Sequence, residues 1–257
     1  MLNFRNTNIF FIILLLFTIG YHIAYGLPLI VYLVIFIVYS LLLFYGSYFV
    51  SSEFFIKIIC AATTNNKEIA ISFDDGPVVS YTPALLKLLK EHRVEAAFFC
   101  IGNRIKGNEE LLVQLHQEGH LIGNHSYSHH FWFDLFSARK MLTDLQLMDR
   151  AMENVTGLKP RLFRPPYGVT NPNLRKAIEN GNYIPVGWNV RSMDTVIKDE
   201  AKLLDKVSKA VKPGAILLFH DTSKTTLAIL PAFIKQVTNK GYKIVRLDKL
   251  LKLKAYA

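Results

Sequence analysis

Five short clusters in this chain combine residue types that suit hydrolytic or metal chemistry. In the first, residues 72–77, Asp74 and Asp75 leave an apolar run and Gly76-Pro77 predicts a turn that exposes them. Two adjacent carboxylates are costly to place together unless a cation or a base compensates them. The pair therefore indicates a cation site or a proton acceptor, and an ordinary polar turn after a strand is the alternative.

The second cluster, residues 125–129, contains two histidines four positions apart, His125 and His129. On a helical turn this spacing would place both imidazoles on one face, where they reach one ion. Two histidines and a carboxylate from the first cluster would leave open positions for water and substrate. His130 is expected to point elsewhere.

The remaining three clusters carry an arginine, a histidine and an aspartate. Arg164, followed by two prolines that fix the backbone, can hold a carboxylate through a bidentate pair. His220 ends a nearly fully apolar run, and residues 188–195 combine Trp188 with Asp194. Each has a structural alternative: a solvated arginine, a satisfied core histidine, a packing tryptophan or a helix-capping aspartate.

Taken in order, the five clusters resemble the motif set of the polysaccharide deacetylase family, carbohydrate esterase family four. The resemblance covers residues 67 to 250 and implies a distorted (β/α) barrel that hydrolyses the acetamide of an amino sugar. It implies that Asp75, His125 and His129 hold a divalent metal, with Zn²⁺ favoured by the mixed nitrogen and oxygen ligands.

The resemblance also assigns the proton transfers and the substrate contacts. Asp74 would be the general base, oriented by Arg164, and His220 the general acid, held cationic by Asp194. The expected substrate contacts are the backbone N–H of Tyr167 at the oxyanion, Leu218 at the acetyl methyl, and Trp188. Two positions depart from the common family pattern, since Arg191 and Thr195 stand where many relatives have aspartate and tryptophan.

The elements that must position these clusters follow from the apolar pattern of the chain after residue 67. Seven short β-type runs alternate with helical runs, which predicts a parallel sheet with crossover helices. The polar clusters all follow the carboxyl ends of predicted strands, where α/β barrels place their chemistry. We therefore expect an α/β fold, a TIM-like barrel of about seven strands, with one site at one end.

The N-terminal region has a different composition from the rest of the chain. Residues 9–50 contain no Asp, Glu, Lys or Arg, and about twenty apolar residues cross a bilayer as a helix. A break at Gly26-Leu27-Pro28 predicts two spans, 9–24 and 29–50. We expect a membrane anchor over 1–57, a linker over 58–66 and a catalytic domain over 67–257. A cleaved signal peptide is the alternative for the first span, and the second would still anchor the chain.

The net charge and the cysteine content limit the classes of partner that this chain could bind. From residue 58 onward the chain has 28 basic and 19 acidic residues, a net charge of +9, without a nucleic-acid-binding motif. Tethered to a membrane, such a surface suits anionic lipid or a lipid-phosphate substrate. The two cysteines form no metal-binding pattern. Oligomeric state is left open.

The side of the membrane on which the catalytic domain lies determines which substrate it can reach. Arg5 before the hairpin and Lys57 and Lys67 after it place both ends in the cytoplasm by the positive-inside rule, which favours a lipid-linked sugar. The family resemblance favours the outer face and a wall polymer. The leading hypothesis is a metal-dependent N-deacetylase of a cell-envelope or lipid-linked glycan. An inactive glycan-binding protein on the same barrel and an amide hydrolase of a non-sugar substrate are the alternatives.

Overall fold

The computed structural model describes residues 2–257 and has a curled parallel sheet at its core. The strands within that range are β1 Glu68–Asp74, β2 Ala97–Cys100, β3 Leu121–Asn124, β4 Leu162–Phe163, β5 Ile184–Pro185, β6 Val190–Arg191, β7 Ile216–His220 and β8 Lys243–Ile244. Their order across the sheet is β5-β4-β3-β2-β1-β7-β6, with β8 beside the start of β1. The expected TIM-like α/β architecture is confirmed as a half-barrel.

Nine helices lie within the described residues, and most of those after β1 follow a strand and cover the outer face of the sheet. Their bounds are α1 Phe4–Tyr25, α2 Ile30–Tyr48, α3 Thr82–Glu91, α4 Glu109–Gln117, α5 Ala138–Thr156, α6 Pro172–Gly181, α7 Glu200–Ala210, α8 Lys224–Asn239 and α9 Leu247–Leu251. Five begin at a polar side chain that accepts a hydrogen bond from the first turn: Asn3, Ser137, Asn171, Asp199 and Ser223. These caps satisfy N–H groups that lack a partner inside the helix.

Alternation along β1 decides which side chains enter the site. Ile71 and Phe73 are buried in the apolar layer beneath the helices. Because successive side chains of a strand point to opposite faces, Ser72 and Asp74 face the inside of the half-barrel. Asp74 is paired in register with His220 of β7, so both polar residues reach the same edge of the sheet.

One expected strand, over residues 184–190, is instead divided into β5 and β6. Between them the chain pairs with residues before β1: Ile59 N–H donates to the carbonyl oxygen of Pro185 at 3.1 Å, and Gly187 N–H donates to Ile59 at 2.9 Å. Ala61 forms a further bridge with Ala215. The segment expected to be a linker therefore lies against the sheet between β5 and β7.

The first two helices form a hairpin that is long and apolar enough to cross a membrane. Helix α1 ends at Tyr25, and Gly26 turns the chain with a φ of 74°. At the open end of the hairpin, Phe4 N–H donates to the carbonyl oxygen of Phe54 at 2.9 Å. The beginning of α1 and the end of α2 thus lie on the same side as the barrel.

Candidate active site

Arg164 is fully buried and fixes the carboxylate of Asp74 at the end of β1. Its Nη1 lies 2.7 Å from Oδ1 of Asp74 and donates to Oγ of Ser72 at 2.8 Å. Nε and Nη2 donate to the carbonyl oxygens of Val186 and Gly187 at 3.2 and 2.9 Å. The predicted bidentate pair is therefore wrong, because carbonyl groups occupy the other edge of the guanidinium. The carboxylate is nevertheless held in one orientation by a buried charge.

Asp75, His125 and His129 converge at the same edge. Oδ1 of Asp75 lies 3.7 Å from Nε2 of His125 and 3.6 Å from Nε2 of His129, and the three ligand atoms lie within 4.8 Å of one another. Nδ1–H of His125 donates to the carbonyl oxygen of Arg164 at 2.9 Å, which leaves Nε2 with its lone pair facing the cluster. Burial lowers the pKa of His129 to about 4. Neutral imidazoles and a carboxylate are a donor set that fits a divalent metal.

The histidines reach this position on a loop, and the predicted helical turn is wrong. Ser126 and His129 have positive φ values of 66° and 43°, which no helix contains. Oδ1 of Asp144, from α5, accepts hydrogen bonds from the N–H groups of Tyr127 and Ser128 at 2.7 and 3.2 Å. In a helix these N–H groups would donate to backbone carbonyl oxygens, but here they donate to the buried carboxylate of Asp144. The resulting loop brings the side chains of His125 and His129 together.

His220 and Asp194 form a second acid–base pair at the end of β7. Nδ1–H of His220 donates to Oδ1 of Asp194 at 2.7 Å, and the backbone N–H of His220 donates to Oδ2 at 2.8 Å. Burial alone would lower the pKa of His220, but the hydrogen bond and charge of Asp194 outweigh it and raise the pKa. Burial opposes ionisation of Asp194 as well, yet the bonds from His220 and Thr226 lower its pKa. The pair favours a protonated imidazole beside a carboxylate.

Tyr167 lies on a strained turn beside the cluster of Asp75, His125 and His129, which we call the metal-type cluster. Its φ is 59°, its ring centroid lies 4.7 Å from that of His129, and its Oη–H donates to the carbonyl oxygen of His129 at 3.4 Å. Gly168 follows with a φ of 73°, and a Cβ there would lie 2.7 Å from the Trp188 ring. A glycine is therefore required for Trp188 to pack against this turn.

Comparison with known proteins agrees with this geometry. Residues 61–186 match the polysaccharide deacetylase family. Over 195 residues the chain is 35% identical to a peptidoglycan-N-acetylglucosamine deacetylase of Bacillus cereus, covering 74% of this chain and 91% of the relative. The chain belongs to the polysaccharide deacetylase family. Members of this family are hydrolases that act on amide C–N bonds in sugars.

Other family members vary in length, and they include both deacetylases and a pseudoenzyme. The peptidoglycan-N-acetylglucosamine deacetylase PgdA of Listeria monocytogenes is 34% identical over 186 residues, which are 72% of this chain but 39% of PgdA. The crystal structure of the Bc1960 peptidoglycan N-acetylglucosamine deacetylase superposes with a TM-score of 0.73 at 27% identity, covering 78% of this chain and 95% of that one. BA3943 of Bacillus anthracis, described as a family-four pseudoenzyme, superposes with a TM-score of 0.70 at 28% identity, over 75% and 68%.

The remaining residues expected at the deacetylase site lie around these groups. Leu218 is buried on the inward face of β7 and is paired with Ser72, one inward position below His220. Trp188 is half-buried against Gly168, and Arg191 lies beside its ring, with Cζ 5.8 Å from the centroid. Thr195 is exposed. The substrate contacts of Leu218, Trp188 and Tyr167 stay predictions.

Asp221 is a buried site residue to which the sequence assigned no role. Its Oδ2 accepts a hydrogen bond from Oγ1 of Thr82 at 2.9 Å, and within residues 2–257 Oδ1 finds no partner. A Cβ on Gly76 would lie 1.8 Å from Oδ2, so only glycine fits beside it. Burial raises the pKa of Asp221 to about 7, with the charges of Asp75 and Asp74 adding to the rise. The signal in the sequence was an aspartate directly after His220.

Proposed function

We propose that this chain is a membrane-anchored, metal-dependent N-deacetylase that hydrolyses the acetamide of an N-acetylated amino sugar in a cell-envelope glycan. The observation that carries the proposal is the placement of two proton-transfer groups around one metal-type cluster. Asp74, fixed by Arg164, and His220, fixed by Asp194, end neighbouring strands in register. The names of the relatives, which act on peptidoglycan sugars, support the substrate class.

Asp75, His125 and His129 would hold the metal, and Zn²⁺ is the ion that their mixed nitrogen and oxygen donors favour. When bound, such an ion supplies Lewis-acid polarisation of the acetyl carbonyl and makes a water more acidic near neutral pH. The hydrogen bond from His125 to the Arg164 carbonyl group keeps the imidazole in the ligating tautomer.

Asp74 would take the proton from the attacking water. Its carboxylate is 3% exposed and is held by Nη1 of Arg164, so one oxygen stays oriented and the other faces the cluster, with Oδ2 3.8 Å from Nε2 of His125. The backbone N–H of Tyr167 would donate to the oxyanion as the carbonyl carbon becomes tetrahedral. A donor of this kind contributes about 3 kcal/mol to transition-state stabilisation.

His220 would return a proton to the nitrogen that leaves. A general acid must be protonated at the start of the step, and the raised pKa of His220 favours this state. Asp194 stabilises the imidazolium and fixes Nδ1, so Nε2 is the nitrogen that faces the substrate. Breakage of the amide C–N bond then yields acetate and a free amino sugar.

The activity is tested with the full chain in detergent, loaded with Zn²⁺ and given N-acetylglucosamine oligomers or a lipid-linked N-acetylated sugar. Acetate release is the expected result. Asp74→Asn should abolish it, whereas Asp205→Asn, an exposed carboxylate on α7, should leave it unchanged. Metal-loaded protein that releases no acetate from any acetamido sugar would refute the proposed reaction.

A catalytically inactive glycan-binding protein is the second candidate, because the barrel is also similar to the pseudoenzyme BA3943. A binding protein predicts retention of the oligomer without acetate release, and Asp74→Asn would leave its affinity unchanged. Asp74, Asp75, His125, His129 and His220 are all present in this chain and lie together, which favours the enzyme.

The membrane anchor is also part of the proposal. Helices α1 and α2 would cross the bilayer as a hairpin, so that Arg5 and the barrel lie on one side. A C-terminal alkaline phosphatase fusion determines that side. An active fusion places the barrel outside, where peptidoglycan is the substrate within reach, and an inactive fusion with a stable chain places it inside, where a lipid-linked amino sugar is.

A further inference from the structure

A short segment beside the site, residues 131–135, exposes large apolar side chains. Phe131, Trp132 and Leu135 are 69%, 55% and 69% exposed. The segment is folded nonetheless: Phe133 N–H donates to the carbonyl oxygen of His130 at 2.9 Å, and Leu135 N–H donates to that of Trp132 at 3.1 Å. An ordered turn that presents contiguous apolar groups to solvent indicates an interaction surface.

This apolar segment is connected to the end of the second hairpin helix by a short path of hydrogen bonds. Thr170 is buried, its N–H donates to the carbonyl oxygen of Ser47 at 3.1 Å, and its Oγ1–H donates to that of Gly46 at 2.8 Å. Both carbonyl groups belong to the last turn of α2, where helical partners are missing. The next residue, Asn171, donates from Nδ2 to the carbonyl oxygen of Asp134 at 2.7 Å. Residues 131–135 therefore lie beside the point where α2 ends.

The composition around that point matches a membrane–water interface. Tyr48 and Phe49, at the end of α2, are 58% and 48% exposed, and aromatic side chains are enriched at this depth of a bilayer. Arg139 and Lys140, in the first turn of α5 after the apolar segment, are exposed. Cationic side chains next to an exposed apolar segment can pair with anionic lipid headgroups while the apolar side chains contact the acyl chains.

We propose that residues 131–135 insert into the boundary between headgroups and acyl chains of the bilayer that α2 crosses. The proposal rests on the anchor proposed above. One residue, His130, separates His129 from the segment, and His129 packs against Tyr167, so the contact would hold the mouth of the site at the membrane surface. The site would then act on sugars that lie close to the lipid. The connection of the segment to the end of α2, with exposed cations beside it, favours lipid over glycan as the occupant.

Tryptophan fluorescence tests this contact directly, because the chain contains only Trp132 and Trp188. The full chain is reconstituted into vesicles of phosphatidylcholine and phosphatidylglycerol, with or without brominated acyl chains that quench tryptophan on contact. Trp188→Phe reports Trp132 alone, and Trp132→Phe reports Trp188, which is half-buried against Gly168. We expect brominated lipid to cause a loss of emission in Trp188→Phe and none in Trp132→Phe.

Comparison of the unsubstituted chain with Trp132→Phe gives the same answer without altering Trp188. Absence of quenching at Trp132 overturns the proposal, and an emission shift on adding a soluble N-acetylglucosamine oligomer would then identify a glycan contact. A chain that fails to float with vesicles refutes both the anchor and the lipid contact. Acetate release from the soluble oligomer in detergent tests catalysis separately, since it requires no bilayer.

Discussion

Nδ1 of His220 lies 2.7 Å from Oδ1 of Asp194, and that carboxylate also accepts hydrogen bonds from the hydroxyl groups of Ser192 and Thr226. Asp194 is fully buried, whereas His220 is partly open to the site. Because the carboxylate is not exposed to solvent, water does not screen its charge, and that charge raises the pKa of the imidazole. This relationship determines which protonation state of His220 the site contains.

Asp194→Asn should therefore move the alkaline limb of the pH–rate profile to lower pH. Asp194 raises the pKa of His220 against the effect of burial, so removing the charge lets burial lower that pKa. A general acid loses its proton as pH rises through its pKa, and the rate falls there. We also expect kcat to fall on the order of 100-fold at neutral pH. The measurement is acetate release across the pH range.

Thr226→Val is the matched control for that substitution. It removes one hydrogen bond from Asp194 but retains the carboxylate, so the alkaline limb should stay in place. An equal displacement of the limb in both variants would mean that packing, and not charge, sets the pKa of His220.

Arg164→Met should destabilise the fold and abolish activity together. The substitution leaves Asp74 as a buried carboxylate without its cation, which typically costs about 3–5 kcal/mol. Arg164→Lys retains the charge but cannot donate at once to Asp74, Ser72 and the two carbonyl groups, so activity should stay low. Thermal unfolding in detergent and acetate release measure the two effects.

An exposed arginine provides the comparison for Arg164. Arg175 pairs with Glu179 on the surface of α6, where such a pair contributes at most about 1 kcal/mol. Arg175→Met should leave both readouts unchanged. Wild-type thermal stability in Arg164→Met would contradict the role assigned to the buried guanidinium.

His129→Ala should lose bound metal and activity, and its neighbour His130→Ala should lose neither. Nε2 of His129 belongs to the three-ligand cluster, whereas His130 is exposed and its Nδ1 accepts a hydrogen bond from the N–H of Trp132. Metal content after dialysis against Zn²⁺ is the measurement, with the unsubstituted chain treated with a chelator as the reference. Full zinc occupancy in His129→Ala would remove His129 from the ligand set.

The general outline of the fold and the members of the site could be predicted because each depends on short-range pattern. Apolar runs alternating with helical periods predict a parallel sheet, and in a parallel sheet all carboxyl ends reach one edge. That is why the strand pattern alone predicts that Asp74 and His220, 146 positions apart in the chain, lie together. The apolar composition of residues 9–50 predicted the two long helices in the same way.

Features that depend on distant partners could not be predicted. The His125–His129 loop takes its shape from Asp144 on α5, so the four-residue spacing suggested a helical turn that does not exist. The strand over 184–190 is divided because Ile59, more than a hundred positions earlier, takes its hydrogen bonds. Both errors arose where tertiary contacts override local preference.

Asp221→Asn should remove a pH dependence of stability that arises from a carboxyl group buried beside Gly76. Burial raises the pKa of Asp221 to about 7, above its unfolded value of 3.8. A raised folded pKa stabilises the fold fully below pH 4, and this contribution is lost as pH rises through 7. At about 1.4 kcal/mol per pKa unit, the loss is on the order of 4 kcal/mol. The difference in melting temperature between Asp221→Asn and wild type should therefore shift in favour of the variant as the pH rises from about 4 to about 7, the interval between the unfolded and folded pKa values. Asp205→Asn should show no such trend, and a difference that is constant with pH would mean that Asp221 stays ionised throughout.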